Sequence, residues 1–221
     1  MNAPEAIRPY AARRAQVLAA MGRGVAVLAT APERTRNRDT HHPFRFDSYF
    51  SYLTGFTEPG AVVVLIAGET PRALLFCREK DLEREIWDGY RHGPEAARTA
   101  FGFDEAYPIG QLDEMLPKLL ADQPALYADI GGDAAWDARV IDWLNAVRAQ
   151  VRTGITAPGE LRDIRRILDD MRLVKDAHEL DTMRRAAAIS AGAHQRAMRA
   201  TRPGRGHLGR RPSARDARDT P

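Results

Sequence analysis

Few residues of this chain are of the types that hold metal ions or carry out catalysis, and they are spread along the sequence. There is one cysteine, Cys77, and there are six histidines: His41, His42, His92, His178, His194 and His207. None of the histidines belongs to an HExxH motif, in which two histidines on one helical face bind zinc. A site for two metal ions needs several carboxylates and usually a histidine that converge from separate elements. The sequence therefore predicts no metal site and no catalytic residue.

The most suggestive cluster is His41 and His42, close to Asp39. Neighbouring side chains in an extended segment point to opposite sides, so the two imidazoles would not face one ion. We interpret this cluster as part of a polar loop. His194 falls on the apolar stripe of a predicted helix and is expected to pack there. Cys77 lies in a strand-like apolar run with no base near it in the sequence, which favours an inert core thiol over a nucleophile.

The composition is that of a soluble globular protein. The 221 residues are 44% hydrophobic and 29% charged, enough for one large domain or two small ones. The longest strongly apolar stretch, residues 61–67, is far shorter than the ~20 residues of a membrane-spanning helix. A single cysteine gives no sign of an oxidising compartment. These features predict a cytoplasmic protein with no membrane partner.

The net charge of +3 is carried by the last residues. Residues 205–221 contain five arginines and two aspartates, and the rest of the chain is neutral. A neutral body has no electrostatic footprint for phosphates, so we expect no nucleic-acid partner. Contact of the basic tail with RNA is the weakest alternative. The tail is rich in Arg, Pro and Gly and is predicted to be disordered.

Apolar patterns predict strands and helices that alternate along the chain. The expected strands are residues 25–29, 61–66, 73–77 and 125–130, and the expected helices are residues 10–21, 81–90, 94–101, 111–120 and 134–149. Interleaving of this kind predicts an α/β fold with a mixed sheet and helices on both faces. In the 81–90 helix, Leu82, Ile86 and Tyr90 are expected to face inward.

A connector at residues 156–159, Thr-Ala-Pro-Gly, predicts a domain boundary. The expected divisions are an α/β domain at residues 1–155, a linker with the first helices of a second domain at 156–204, and the tail at 205–221.

The second of these divisions is expected to contain two helices. A charged helix is predicted over residues 160–171, and a long helix over 176–199 begins with a capping box of Asp176 and Glu179. The long helix carries an apolar seam that needs a partner surface. We expect the seam to be exposed or self-associated.

Four stretches of sequence form a collinear pattern over most of residues 9–204. They are DSYFSYLTGFTEP at 47–59, REIWDG at 84–89, MRLVK at 171–175, and residues 179–204, with MRRA at 183–186 and RPG at 202–204. The pattern resembles the amino-terminal portion of bacterial aminopeptidase P. The resemblance implies a creatinase-type α/β domain followed by a pita-bread metallopeptidase domain that removes an N-terminal residue preceding proline.

The resemblance also implies where the chemistry of that family lies. Two manganese ions are held by aspartate, histidine and glutamate ligands of the second domain, and they generate the hydroxide that attacks the peptide. Here the pattern lapses after residue 204. We therefore interpret the chain as truncated, without a metal of its own and inactive alone, and expect it to meet a peptide substrate only with a complete catalytic domain.

The amino-terminal domain of the family supports oligomer assembly and lends residues to the rim of a neighbouring subunit's active site. By resemblance, Trp87 is the first candidate for that rim, because an aromatic face suits a proline ring. Asp39 and Arg152 are weaker candidates. The expected partners are other copies of this chain or intact peptidase subunits.

Other interpretations of the sequence remain open. Trp87 is equally well explained as a partly buried core residue, and Asp39 and Arg152 as surface charges without a role. The chain as a whole could be a non-catalytic module that pairs with itself or with a partner.

Overall fold

The structure is a computed structural model, and it describes residues 7–202 of the chain. The helices are α1 Arg8–Met21, α2 Ser48–Thr54, α3 Leu82–Asp88, α4 Gly93–Phe101, α5 Leu112–Leu120, α6 Ala134–Arg148, α7 Arg165–Leu173 and α8 Ala177–Ala200. The strands are β1 Gly24–Ala29, β2 Thr35–Asn37, β3 Thr40–His41, β4 Val62–Ala67, β5 Arg72–Cys77, β6 Glu105–Pro108, β7 Ala125–Ala128 and β8 Glu160–Asp163.

Six of these strands form one mixed sheet in the order β6-β5-β4-β1-β7-β8. Strand β4 runs antiparallel to β1 and β5, and the other neighbouring strands pair in parallel. Within this six-stranded sheet, every strand except β4 therefore runs in the same direction. Their carboxyl ends lie along one border of the sheet, which we call the carboxyl edge, and the opposite border is the amino edge. The remaining strands, β2 and β3, form a separate hairpin.

The sheet is covered by helices on both faces. Along β4, Val63 and Leu65 join one buried cluster, while Val62, Val64 and Ile66 join the other. This explains the continuous apolar run of the strand, since a strand buried on both faces has no polar alternation. Helices α1, α2, α4 and α7 contribute to the first cluster, and α5 and α6 contribute to the second. The predicted mixed sheet with helices on both faces is confirmed.

Gly24 allows the close approach of β1 to β7. Its φ is +121°, and a Cβ atom there would lie 2.6 Å from the backbone oxygen of Ala125. A larger residue would push the two parallel strands apart at the centre of the sheet.

The predicted helix over 160–171 is wrong in its first five residues. Residues 160–163 form β8, which pairs in parallel with β7, and α7 begins only at Arg165. All four residues of β8 are exposed, so this edge strand lacks the apolar pattern that identifies a strand in a sequence. Ile164 and Leu168 then bury α7 against the first cluster.

Because of β8 and α7, the compact unit of the chain runs to Leu173, whereas the α/β domain predicted from the sequence ends at residue 155. Helix α2, strand β6 and the β2–β3 hairpin were not predicted from the sequence. The second unit begins at Val174.

Helix α8 is the described part of the second unit. Its capping box is confirmed: the Asp176 carboxylate accepts from the Glu179 N–H at 2.8 Å, and the Glu179 carboxylate accepts from the Asp176 N–H at 3.0 Å. The apolar seam is exposed, as expected, with Met183 at 55% and Met198 at 74% of full exposure. The tail predicted to be disordered, residues 205–221, lies outside the described residues.

Candidate functional site

Trp87 is carried by a loop that leaves the sheet at the carboxyl edge and returns to the same place. The loop, residues 80–93, follows β5, contains α3 and ends where α4 begins. Its two ends touch: Gly93 has a φ of +71°, and a Cβ atom there would lie 2.9 Å from the Lys80 Cβ. Compact excursions with adjoining ends are Ω-loops, which frequently carry function. We call this segment the α3 loop.

Both ends of α3 are set by local hydrogen bonds. The Asp81 side chain accepts from the backbone N–H groups of Glu83 and Arg84 at 3.1 and 3.0 Å, which caps the amino end. Gly89, with a φ of 81°, ends the helix and donates its N–H to the Glu85 carbonyl at 3.1 Å. The first and last residues of this short helix are therefore set by the Asp81 cap and by Gly89.

The inward orientation expected for Leu82, Ile86 and Tyr90 is wrong. These side chains are 71%, 78% and 62% exposed, and α3 has no buried residue. The amphipathic pattern assumes that a helix lies on the sheet, whereas α3 sits on a loop that projects from the sheet edge. Trp87 is 85% exposed, so its interpretation as a partly buried core residue is also wrong.

Ionic and hydrogen-bonding contacts hold the α3 loop together. The Glu85 carboxylate pairs with the Lys80 ammonium at 2.6 Å and accepts from the Arg91 N–H at 3.0 Å. Lys80 also donates to the Arg91 carbonyl at 2.9 Å and lies 4.0 Å from the centre of the Tyr90 ring. The hydrogen bond from Lys80 lowers the pKa of Glu85.

A second carboxylate, Glu58, joins the loop to the domain. Only 10% of its side chain is exposed. It accepts from the His92 N–H at 2.9 Å and also pairs with the His92 Nδ1 atom. The imidazole of His92 in turn packs against Phe56 and Phe101, with ring centres 5.9 and 5.2 Å away. The end of the loop is thus fixed by a buried acid and an aromatic cluster.

The α3 loop is expected to loosen in acid. A lowered pKa of Glu85 in the folded state means that its contribution to stability is present above the unfolded pKa of about 4.3 and is lost as the pH falls through the folded value. Amide protection factors of residues 82–91 should therefore fall when the pH is lowered from about 6 to below about 4.3. The protection of β4 serves as the internal reference, and Glu85→Gln should make the loop's protection low at both pH values. Equal acid sensitivity of the Gln variant would contradict this assignment.

The other two rim candidates lie at opposite edges of the sheet. Asp39 is exposed in the turn of the β2–β3 hairpin, a segment that follows the carboxyl end of β1. Arg152 is exposed in a single 3₁₀ turn after α6. The chain beyond that turn runs along the amino end of β7, where the Asp122 N–H donates to the Thr156 carbonyl at 2.9 Å.

Trp87 and Asp39 therefore belong to segments at the carboxyl edge, and Arg152 belongs to the amino edge. A six-residue strand spans roughly 20 Å between the two edges. The topology therefore separates Arg152 from the other two candidates along the direction of the strands, and the spacing of residues in the sequence carried no signal of this separation.

The base of the hairpin borders a groove that the sequence analysis missed. Its volume is about 330 Å³, and its lining residues are Ala31, Pro32, Arg34, His42, Pro43, Phe44, Arg45, Phe46, Asp47 and Ser48. The lining combines apolar side chains with two arginines, His42 and the Asp47 carboxylate, so its charge is mixed. His42 lines the groove whereas His41 pairs with Thr35 in the hairpin, so the two histidines do not act as one cluster.

Metal-ligating side chains do not converge in residues 7–202: no group of three or more His, Cys, Asp and Glu side chains there could hold a metal ion. The described residues thus do not fit a pair of manganese ions. Cys77 is fully buried in β5, which confirms its place in the core, and this burial raises the pKa of its thiol to about 12.

Comparison with known proteins identifies the fold. The family described as aminopeptidase P, N-terminal domain, matches residues 10–127. The Xaa-Pro aminopeptidase of Escherichia coli (strain K12) is 40% identical over 181 residues, which cover 81% of this chain and 41% of that protein. The aminopeptidase PepP of Pseudomonas aeruginosa is 43% identical with a TM-score of 0.87, over 93% of this chain and 47% of that one.

A structure of an E. coli aminopeptidase P variant in complex with substrate is also similar, with 38% identity and a TM-score of 0.86 over 90% of this chain and 46% of that one. The sheet and its helices therefore define the class of this protein as an α/β domain of peptidases. More particularly, the chain belongs to the aminopeptidase P N-terminal domain family. It spans less than half the length of the relatives named here. No helix in residues 7–202 has the length and apolar character needed to cross a membrane.

Proposed function

We propose that this chain is the amino-terminal portion of an Xaa-Pro aminopeptidase, which releases an N-terminal residue that precedes proline. The observation that carries the proposal is the agreement of sequence and fold with such enzymes over nearly the whole chain. In this proposal the chain does not hydrolyse peptides alone, because the ligands of the two manganese ions belong to the remainder of the enzyme. The lack of a suitable ligand group within residues 7–202 supports that division.

The chain's own contribution is then to shape the substrate site of a neighbouring subunit. The α3 loop is held by ion pairs and hydrogen bonds and presents an indole that is 85% exposed, which leaves the ring face open to contact with a proline ring. Asp39 and Arg152 are proposed for the same rim, supplied by more than one copy because they lie at opposite edges of the sheet. This role needs self-association or association with intact subunits in the cytoplasm.

The test compares the chain alone with a joined enzyme, in which residues 1–202 of this chain replace the matching residues of the P. aeruginosa aminopeptidase. With manganese, the joined enzyme should cleave an Xaa-Pro peptide, and the chain alone should stay at the background rate. The proposal fails if the joined enzyme folds and binds manganese without cleaving. It also fails if a preparation of the chain alone, free of host peptidase, shows turnover that a chelator abolishes.

A non-catalytic module that pairs with itself is the second candidate. It is favoured by the exposed apolar residues of α8, including Leu180, Met183, Ile189 and Met198. Light scattering distinguishes the two: a stable dimer of the chain, together with an inactive joined enzyme, would favour the module.

A further inference from the structure

We propose that Glu58 is the residue that positions Trp87, by clamping both ends of the α3 loop. The inference rests on the proposed role of Trp87 at the substrate rim, although Glu58 lies outside the loop. It stands between α2 and β4, close to two turn residues, Pro59 and Gly60. Its side chain is nine-tenths buried, and buried carboxylates are retained only where they are paired.

The partners of Glu58 lie on either side of the α3 loop: Arg78 stands two residues before the loop begins, and His92 is its next-to-last residue. Its Oε1 atom accepts from the backbone N–H of His92, the last residue before α4. Its Oε2 atom lies 3.6 Å from the Arg78 guanidinium, the first residue after β5. One carboxylate therefore holds the two ends of the α3 loop together.

Packing cannot replace this clamp, since α3 buries none of its side chains. The contacts inside the loop, chiefly the Lys80–Glu85 pair, fix its internal shape. They do not fix its direction relative to the sheet. The direction of the Trp87 ring is then set where the loop is attached, and Glu58 is a side chain from outside the loop that contacts the chain on both sides of it.

The clamp is also incomplete in hydrogen-bonding terms. Among the described residues, the buried Glu58 Oε2 atom and the Arg78 Nε atom have no hydrogen-bond partner. A contact of 3.6 Å between the two side chains is an ion pair without a full hydrogen bond. The attraction between Glu58 and Arg78 depends on the negative charge of Glu58. An uncharged glutamine at position 58 should therefore weaken the contact with Arg78, whereas part of the contact with His92 should remain.

The first test uses the full chain and compares Glu58→Gln with Glu95→Gln. The control removes the same charge from α4, where Glu95 pairs with Arg98 at 2.9 Å on the exposed surface. Amide exchange in residues 82–91 should speed up at least tenfold in E58Q and stay unchanged in E95Q. Exchange in β4 should stay unchanged in both variants. Unchanged exchange in the loop would overturn the proposal, and so would equal acceleration in β4, which marks a general loss of stability.

A second variant keeps the proposal testable if E58Q does not fold. His92→Phe keeps a ring between Phe56 and Phe101 and loses the Nδ1 contact to Glu58. Amide exchange in residues 82–91 should speed up by a smaller factor than in E58Q, and exchange in β4 should again stay unchanged. H92F keeps the backbone N–H that donates to Glu58, so unchanged protection would place the His92 end of the clamp at that N–H. The proposal is overturned if H92F loosens the loop as much as E58Q does, because the His92 side chain and not the Glu58 carboxylate would then hold the loop.

The second test asks whether Glu58 acts through Trp87, and it uses the joined enzyme. E58Q should lower kcat/KM severalfold, mainly through a higher KM, and should have no further effect in the Trp87→Ala background. A further fall in kcat/KM when E58Q is added to W87A would show that Glu58 has a structural role separate from Trp87, and would overturn the proposal. If W87A has full activity while E58Q still loosens the loop, the rim role of Trp87 has failed and the clamp on the loop stands.

Discussion

Replacing Arg14 with methionine is expected to lower the free energy of unfolding by about 3 kcal/mol. Arg14 lies in α1, and it is 3% exposed. Its guanidinium donates to the Leu53 carbonyl in the last turn of α2 at 3.0 Å, and to the Phe101 and Gly102 carbonyls at the end of α4. One cation thus satisfies the free carbonyls at the ends of two helices, where positive charge is also favoured by the helix dipole.

Methionine fills much of the same volume but leaves those carbonyl groups buried without a donor, which costs about 1–3 kcal/mol for each group that finds no water. Burial lowers the pKa of Arg14 to about 10, so the cation persists at neutral pH. Urea denaturation followed by circular dichroism measures the loss. Arg23→Met, at an exposed position, should change the free energy by no more than about 0.5 kcal/mol. A similar small change in R14M would show that water replaces the guanidinium.

Arg14 also illustrates where sequence reasoning about this fold stops. An arginine in an amphipathic helix is ordinarily a solvated charge, and nothing in residues 8–21 distinguishes it from its neighbours. Its role is set by the ends of α2 and α4, the second of which lies nearly ninety residues further along the chain. Of those two helices, only α4 was predicted from the sequence, because α2 is a single short stretch that its Asp47 cap defines.

The central strands were predictable because, unlike Arg14, they are identified by their own residues. Strands β4 and β5 are buried on both faces, so their apolar runs carry the signal in the residues themselves. Strand β8 carries none, because an exposed edge strand is held by the backbone hydrogen bonds it exchanges with β7. Its place in the sheet is what moves the limit of the compact unit from the Thr-Ala-Pro-Gly connector to Leu173.

The candidate site was predictable in part. The residue type of Trp87 and its surrounding motif singled it out, and the structure adds that the indole is exposed. The buried acid that anchors its loop gave no such signal. Glu58 lies in a turn-rich segment where a charged residue is ordinarily solvated, and its partners Arg78 and His92 are distant in sequence.

Replacing Trp87 with alanine is expected to separate function from stability. The indole is 85% exposed, so its loss should leave the free energy of unfolding of the chain within about 0.5 kcal/mol of the original value. In the joined enzyme, the same change should remove an aromatic contact with the substrate. Covering an aromatic side chain contributes about 2 kcal/mol, so kcat/KM should fall roughly thirtyfold.

Two further variants make that result specific to the aromatic ring. Trp87→Phe keeps an apolar face and should retain most of the activity. Ile86→Ala removes an equally exposed apolar side chain from the same short helix and should have little effect, because the neighbouring residue points elsewhere on α3. A thirtyfold loss in I86A as well would trace the effect to the helix as a whole. Full activity of W87A would instead remove the indole from the substrate rim, and with it the reason for this fold to hold a large apolar side chain in solvent.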